Sequence, residues 1–278
     1  SIGFMNGIAA ALENAELAAD DLGQVFHGTT VATNLILEGK GAEVGLLTTA
    51  GFKHVLEIGR QDIPRRANLF SWIKPTRPVP PERIHEIPER VAIDGDILVP
   101  LDEDAVRIAA RDFKARGVGA VAVCYLNSFV HPAHEERTAD ILREELPSAL
   151  VSISADVLRV FREYERSIAT VLNVYDMPAV SNYVAQLERR LVEEKVSAPL
   201  LIMKSNGGVV GAKEVERVPA HTALSGPAAG VVGARFVGEA AGYKDIIGVD
   251  IGGTSADICL IKDGGYSLTG KGRIGDWP

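Results

Sequence analysis

Ile247-Gly-Val-Asp250-Ile-Gly252-Gly253-Thr254-Ser-Ala-Asp257-Ile-Cys-Leu260 is an apolar run that ends at a carboxylate, turns through two glycines and a hydroxyl residue, and resumes as a second apolar run. The pattern predicts two strands, Ile246–Ile251 and Ala256–Ile261, joined by a tight turn. Such a turn has two uses. Glycines lack the Cβ that would keep backbone N–H groups away from an oxyanion. Thr254 adds a hydroxyl, and Asp250 can hold Mg2+ directly or through water, with Asp257 as a second carboxylate. The plainer use is a β-hairpin whose Gly-Gly turn merely closes two strands. An acid on one side with Thr and Asp on the other favours phosphate binding, and makes Asp250 the candidate catalytic residue.

Outward from this hairpin, short β-rich runs alternate with helical periodicity, the pattern of an α/β sheet with covering helices. Further strands are expected at Gln24–His27, Val44–Thr48, Val118–Leu126, Leu150–Ile153 and Pro199–Lys204. Three helices show an apolar stripe. One carries Val106, Ala109, Ala110 and Phe113 after an acidic start at Asp102-Glu103-Asp104. The next carries Val180, Tyr183, Val184, Leu187 and Leu191 after Pro178, which suits a first helical turn. The last carries Ala229, Val232, Gly233, Phe236 and Ala240 after Pro227. Between about Asp62 and Asp102 seven prolines exclude long regular elements. An ordered excursion is expected there, with Phe70, Trp72, Ile84 and Val91 buried.

Three other stretches could meet a ligand. Leu224-Ser225-Gly226-Pro227-Ala228-Ala229-Gly230 opens an unusually thin helix, suited equally to tight helix packing and to close approach of a ligand. Met203-Lys204-Ser205-Asn206-Gly207-Gly208 follows a strand, where open α/β sheets bind ligands; an ordinary Asn-Gly turn explains it as well. Phe26-His27-Gly28-Thr29-Thr30 ends a strand and opens a helix, which makes either an anion site or a simple N-cap. The candidate ligand contacts are therefore Gly252, Gly253, Thr254, Ser225, Gly226, Asn206, Gly207, Thr29 and Thr30. His131, His134 and Glu135 read as a solvated helix start rather than a metal centre, and Arg162-Glu-Tyr-Glu-Arg166 as an ion-pairing helix face. No Walker loop and no Gly-x-Ser-x-Gly elbow occurs.

Bulk properties narrow the class. The chain has 278 residues, 46% of them hydrophobic and 24% charged, with a net charge of −8. That charge argues against a nucleic-acid surface. The longest plainly apolar stretch, Val118–Leu126, has nine residues, where a membrane span needs about 20. Cys124 and Cys259 lie in apolar runs and read as buried, unpaired thiols, which together with the lack of a leader makes the cytoplasm the expected compartment.

Taken together, His27-Gly-Thr-Thr-Val-Ala-Thr-Asn, Thr48-Thr-Ala-Gly-Phe, Leu56-Glu-Ile-Gly-Arg-Gln, Arg162-Glu-Tyr-Glu-Arg, Met203-Lys-Ser-Asn-Gly-Gly, Leu224-Ser-Gly-Pro-Ala-Ala-Gly and Asp250-Ile-Gly-Gly-Thr-Ser resemble, in order, signature stretches of the hydantoinase A/5-oxoprolinase family. The resemblance implies an α/β fold with two lobes like those of actin and the sugar kinases (ribonuclease H-like), with mixed sheets and covering helices. It implies ATP and Mg2+ as cofactors, with Asp250, Gly252, Gly253 and Thr254 as the second phosphate loop. On this reading residues 1–172 are the remainder of the N-terminal region, residues 173–278 begin the hydantoinase A-type region, and the chain is an internal part of a longer subunit, truncated at both ends and inactive alone. The activity implied is ATP-dependent opening of a hydantoin, oxoproline or lactam ring by phosphorylation of the carbonyl oxygen, together with a larger hydantoinase B-type subunit. A ketone carboxylase subunit of the acetone or acetophenone type is the alternative, and a non-catalytic actin-like nucleotide-binding regulator the third.

Overall fold

A computed structural model describes residues 2–60, 68, 70–73, 77–252, 256–267 and 274. In chain order its strands are β1 (Val25–His27), β2 (Val44–Thr49), β3 (Ile84–Ile87), β4 (Arg90–Val91), β5 (Ile97–Val99), β6 (Ala120–Cys124), β7 (Leu150–Ile153), β8 (Leu200–Met203), β9 (Val209–Gly211), β10 (Ile246–Ile251) and β11 (Ala256–Ile261). The chain divides into two compact units. One combines Ser1–Gly39 with Ala179–Gly272, and the other combines Lys40–Pro178 with Arg273–Pro278.

The Lys40–Pro178 unit is built on a parallel sheet of order β3-β2-β6-β7. Every residue of β2 and β6 is buried, as expected of continuous apolar strands covered on both faces. The helix Glu103–Ala115 covers one face. It starts where the Asp102 carboxylate accepts from the Ala105 N–H at 2.9 Å, a side-chain cap. Its buried stripe is the predicted Val106, Ala109, Ala110 and Phe113. Gly45 is required beneath it, because a Cβ there would lie 2.6 Å from the Phe113 ring.

Three expectations for this unit need correction. Within the proline-rich stretch, Ile84–Ile87 joins the main sheet as its edge strand, a position where a following proline is tolerated. Ile84 and Val91 are buried as expected and Trp72 partly so, but Phe70 is fully exposed. The helix Ala133–Glu145 does start after Pro132, yet it is not solvated there: His134 is 7% exposed and Glu135 fully buried. Arg166, placed by its sequence on an ion-pairing helix face, is also fully buried, its guanidinium 3.5 Å from Glu135.

The other unit holds a mixed sheet, β1 parallel to β8 and β8 antiparallel to β9, and the antiparallel pair β10–β11. Its core joins Met5, Val25 and Ala32 to Val180, Val184, Leu187 and Leu191 and to Leu200 and Ile202. The helix carrying that middle group does not begin at Pro178. It runs for 31 residues from Glu163 to Glu193 with Pro178 inside it. Loss of one N–H and a ring clash cost about 3 kcal/mol in an isolated helix, so packing on both sides of the proline sustains it. Among the described residues no helix is long and apolar enough to cross a membrane. Both cysteines are free, Cys124 buried and Cys259 half-buried.

Candidate functional site

Five of the candidate ligand residues, Ser225, Gly226, Thr29, Thr30 and Gly207, lie on or against one helix of the unit that includes Ala179–Gly272, as does Asp250. This helix, Ser225–Ala240, opens after Leu224, whose backbone sits in the left-handed region at φ 64°. A branched residue there is strained by roughly 1–2 kcal/mol, and the Leu224 N–H donates to the Thr33 hydroxyl at 2.9 Å. Ser225 then binds the backbone of Thr29 on both sides. Its hydroxyl accepts from the Thr29 N–H at 3.2 Å and donates to the Thr29 carbonyl at 2.8 Å. The loop Gly28–Thr30 is thereby clamped to the amino end of the helix. There is no room for larger residues at the contact: a Cβ on Gly226 would lie 2.7 Å from Thr30 Cγ2, and one on Gly28 3.1 Å from Ala229 Cβ. Thr29 and Ser225 are buried, whereas Thr30 is exposed.

A second row of small residues on the same helix receives the hairpin. Gly238 lies against Ile246, Ala234 against Gly248, and Gly230 against Asp250, where a Cβ on Gly230 would be 3.8 Å from Oδ2 of the carboxylate. The thin helix thus serves close packing, against the hairpin along its length and against the Gly28–Thr30 loop at its amino end. Asp250 pairs across the ladder with Asp257. Two carboxylates directly opposite repel, and a cation between them removes that cost. Among the described residues there is no cluster of three or more His, Cys, Asp or Glu side chains able to cage a metal. Mg2+ does not need one, since it typically takes one or two carboxylates and completes its shell with phosphate oxygens and water. The donor set of Asp250 and Asp257 therefore fits a nucleotide-borne Mg2+. Asp250, Ile251 and Gly252 are exposed, while Gly253 and Thr254 lie outside the described residues.

The third stretch, after β8, is a tight turn. Gly207 has φ 81°, the Gly208 N–H donates to Asn206 Oδ1 at 3.0 Å, and the Lys204 N–H donates to the Gly208 carbonyl at 2.7 Å. Asn206 thus shapes its own turn. Gly207 also sits beside the same helix, a Cβ there being 4.0 Å from Val232. Sequence reasoning overlooked a further contact at the loop: His27 Nε2 lies 2.8 Å from the Tyr183 hydroxyl. The partners are 156 residues apart, and Tyr183 reads in sequence only as part of an apolar stripe, so no local signal existed.

Known proteins share this arrangement of elements. The nucleotide-free structure of acetone carboxylase, an enzyme of ATP-dependent acetone carboxylation, matches with a TM-score of 0.82 and 30% identity over 91% of this chain and 38% of its own. The fold is accordingly the α/β, actin-like ATPase type with mixed sheets. The acetophenone carboxylase gamma subunit of Aromatoleum aromaticum is 32% identical, covering 95% of this chain and 38% of its own length. The caprolactamase subunit alpha of Pseudomonas jessenii is 33% identical, with 95% and 39% covered. The chain therefore spans about two fifths of the length of these relatives. The hydantoinase/oxoprolinase N-terminal region matches residues 2–146 and the hydantoinase/oxoprolinase region residues 166–276. With both regions present in order, the chain belongs to the hydantoinase/oxoprolinase family.

Proposed function

We propose that this chain is the phosphate-binding part of a subunit of an ATP-dependent cyclic-amide hydrolase, which opens a hydantoin, oxoproline or lactam ring after phosphorylating the ring carbonyl oxygen. The observation that carries this reading is the helix Ser225–Ala240, which bears the Thr29–Thr30 loop at its amino end and the Asp250 carboxylate against Gly230. Helix amino ends and glycine turns present N–H groups to anions. An amide carbonyl is a poor electrophile until its oxygen carries a phosphoryl group; water then attacks the carbon, the C–N bond breaks as the ring nitrogen takes a proton, and a second water releases phosphate from the acyl phosphate that remains.

In this proposal Gly252, Gly253 and Thr254 meet the phosphates, and Ser225, Gly226, Asn206, Gly207, Thr29 and Thr30 form the wall of the site. Asp250, with Asp257 opposite, holds the metal. Mg2+, when bound, neutralises charge on the transferring group. A larger hydantoinase B-type subunit completes the enzyme, and the cytoplasm is its compartment. A second reading, a subunit of an ATP-dependent ketone carboxylase, is favoured by the 32% identity to the acetophenone carboxylase gamma subunit. The test is ATP hydrolysis by the full-length subunit with its partner. Stimulation by a cyclic amide without bicarbonate is expected; dependence on a ketone and bicarbonate together would replace the hydrolase by the carboxylase. No stimulation by either would leave the non-catalytic regulator.

A further inference from the structure

We propose that His27 and Tyr183 act as a positioning pair that fixes the Gly28–Thr30 loop for nucleotide binding, an inference that rests on the phosphate site proposed above. His27 closes β1 directly before the loop. Its ring lies against Phe4, with centroids 4.4 Å apart, and its Nε2 is 2.8 Å from the Tyr183 hydroxyl. Tyr183 also interacts with the Thr29 side chain. Thr29 Oγ1 also accepts from the Val31 N–H at 3.2 Å.

In the neutral imidazole Nε2 accepts, and the Tyr183 hydroxyl donates to it. The neutral form is favoured independently, because burial lowers the His27 pKa below its usual value. With the Ser225 hydroxyl on both of its backbone groups and the Val31 N–H on its Oγ1, Thr29 is tied at three points. Thr29 is 6% exposed. It is thus a strut, and the exposed Thr30 and the loop amides are what remain for a ligand. Gly226 and Gly28 have no slack against the loop, so a shift of Thr29 moves the helix amino end as well. Displacements of about 1 Å at such sites cost up to a hundredfold in rate.

The experiment uses the full-length subunit with its partner, and reads KM for ATP, KM for the cyclic amide, kcat and melting temperature. Tyr183→Phe and His27→Ala should each raise KM for ATP about tenfold, the equivalent of one lost hydrogen bond, with the cyclic-amide KM unchanged and the melting temperature lowered by only a few degrees. The double variant should be no worse than Tyr183→Phe alone, since both remove one chain. His27→Gln, whose side-chain oxygen can accept from Tyr183, should recover most of the affinity. An unchanged KM for ATP in Tyr183→Phe, or loss of both KM values in step with melting temperature, would overturn the proposal. Asp250→Asn in the same assay separates the two levels: if it impairs ATP use while Tyr183→Phe does not, only the positioning pair falls, and if neither variant matters the phosphate site falls with it.

Discussion

Carboxylates in the two units do opposite work. In the Lys40–Pro178 unit Glu135 is fully buried and accepts from the Tyr125 and Ala155 N–H groups at 2.8 and 2.9 Å and from the Ser128 and Ser154 hydroxyls at 2.7 and 2.6 Å. Arg166 faces it at 3.5 Å. Burial still pushes the Glu135 pKa up, against all of those hydrogen bonds. Full burial behind these partners closes Glu135 to a ligand, and the arrangement ties the ends of β6 and β7 to two helices. In the other unit Asp250 is exposed, bounded on one side by Gly230 of the helix Ser225–Ala240 and followed by a glycine turn in the sequence. Saturated and buried means structural; exposed beside amide-bearing backbone means available for chemistry.

Removing one member of the buried pair is expected to have the largest effect. Glu135→Ala leaves Arg166 as an uncompensated buried charge and should cost about 3–5 kcal/mol in urea unfolding; a cost below about 1 kcal/mol would mean that the cluster is not closed. Asp250→Ala should do the reverse. ATP turnover by the full subunit with its partner should fall at least about a hundredfold, while stability stays within about 0.5 kcal/mol. A large loss of stability would put Asp250 on the structural side of the comparison.

Asp176 sharpens the contrast because it is buried without compensation. Among the described residues neither carboxylate oxygen has a partner, and burial raises its pKa from 3.8 to about 8. The folded state then holds a proton that the unfolded state releases, so stability falls as pH rises between about 4 and 8 and is flat above. Between pH 5 and 7 the loss is about 2–3 kcal/mol. Asp176→Asn should abolish that slope; an unchanged slope would assign it to other groups. The smallest effect is expected at the clamp. Gly226→Ala must displace Thr30 and should cost about 1–3 kcal/mol, with loss of ATP affinity, whereas unaltered stability and affinity would show that the loop is free to yield.

The sequence was legible where one physical rule dominated. β7, β10 and β11 have the predicted limits and β2 extends one residue further, because unbroken apolar runs flanked by turn residues have no competing interpretation. Pro178 misled because the helical turns before it carry buried polar residues: Arg166, Ser167, Thr170, Asn173 and Asp176 interrupt the apolar stripe on which periodicity depends. β3 was hidden by the prolines around it and by His85 and Glu86 within it, the composition of an edge strand. His134 and Glu135 were misassigned because charged residues are rarely buried, and the partners that make it possible lie in other elements. Asp250 and the glycines stood out from local chemistry alone. The placing of Asp250, Gly207 and the Thr29–Thr30 loop against one helix, and the contact of His27 with Tyr183, depend on residues far apart in the chain that no local pattern connects.

The central claim is that Asp250 and the adjoining glycine turn hold a metal–triphosphate. Its most direct test is calorimetric titration of a non-hydrolysable ATP analogue into the full-length subunit, with and without Mg2+, for the native protein and for Asp250→Asn. The account predicts that Mg2+ tightens binding in the native protein and that this increment disappears in the variant. Equal Mg2+-dependent tightening in both proteins would contradict it.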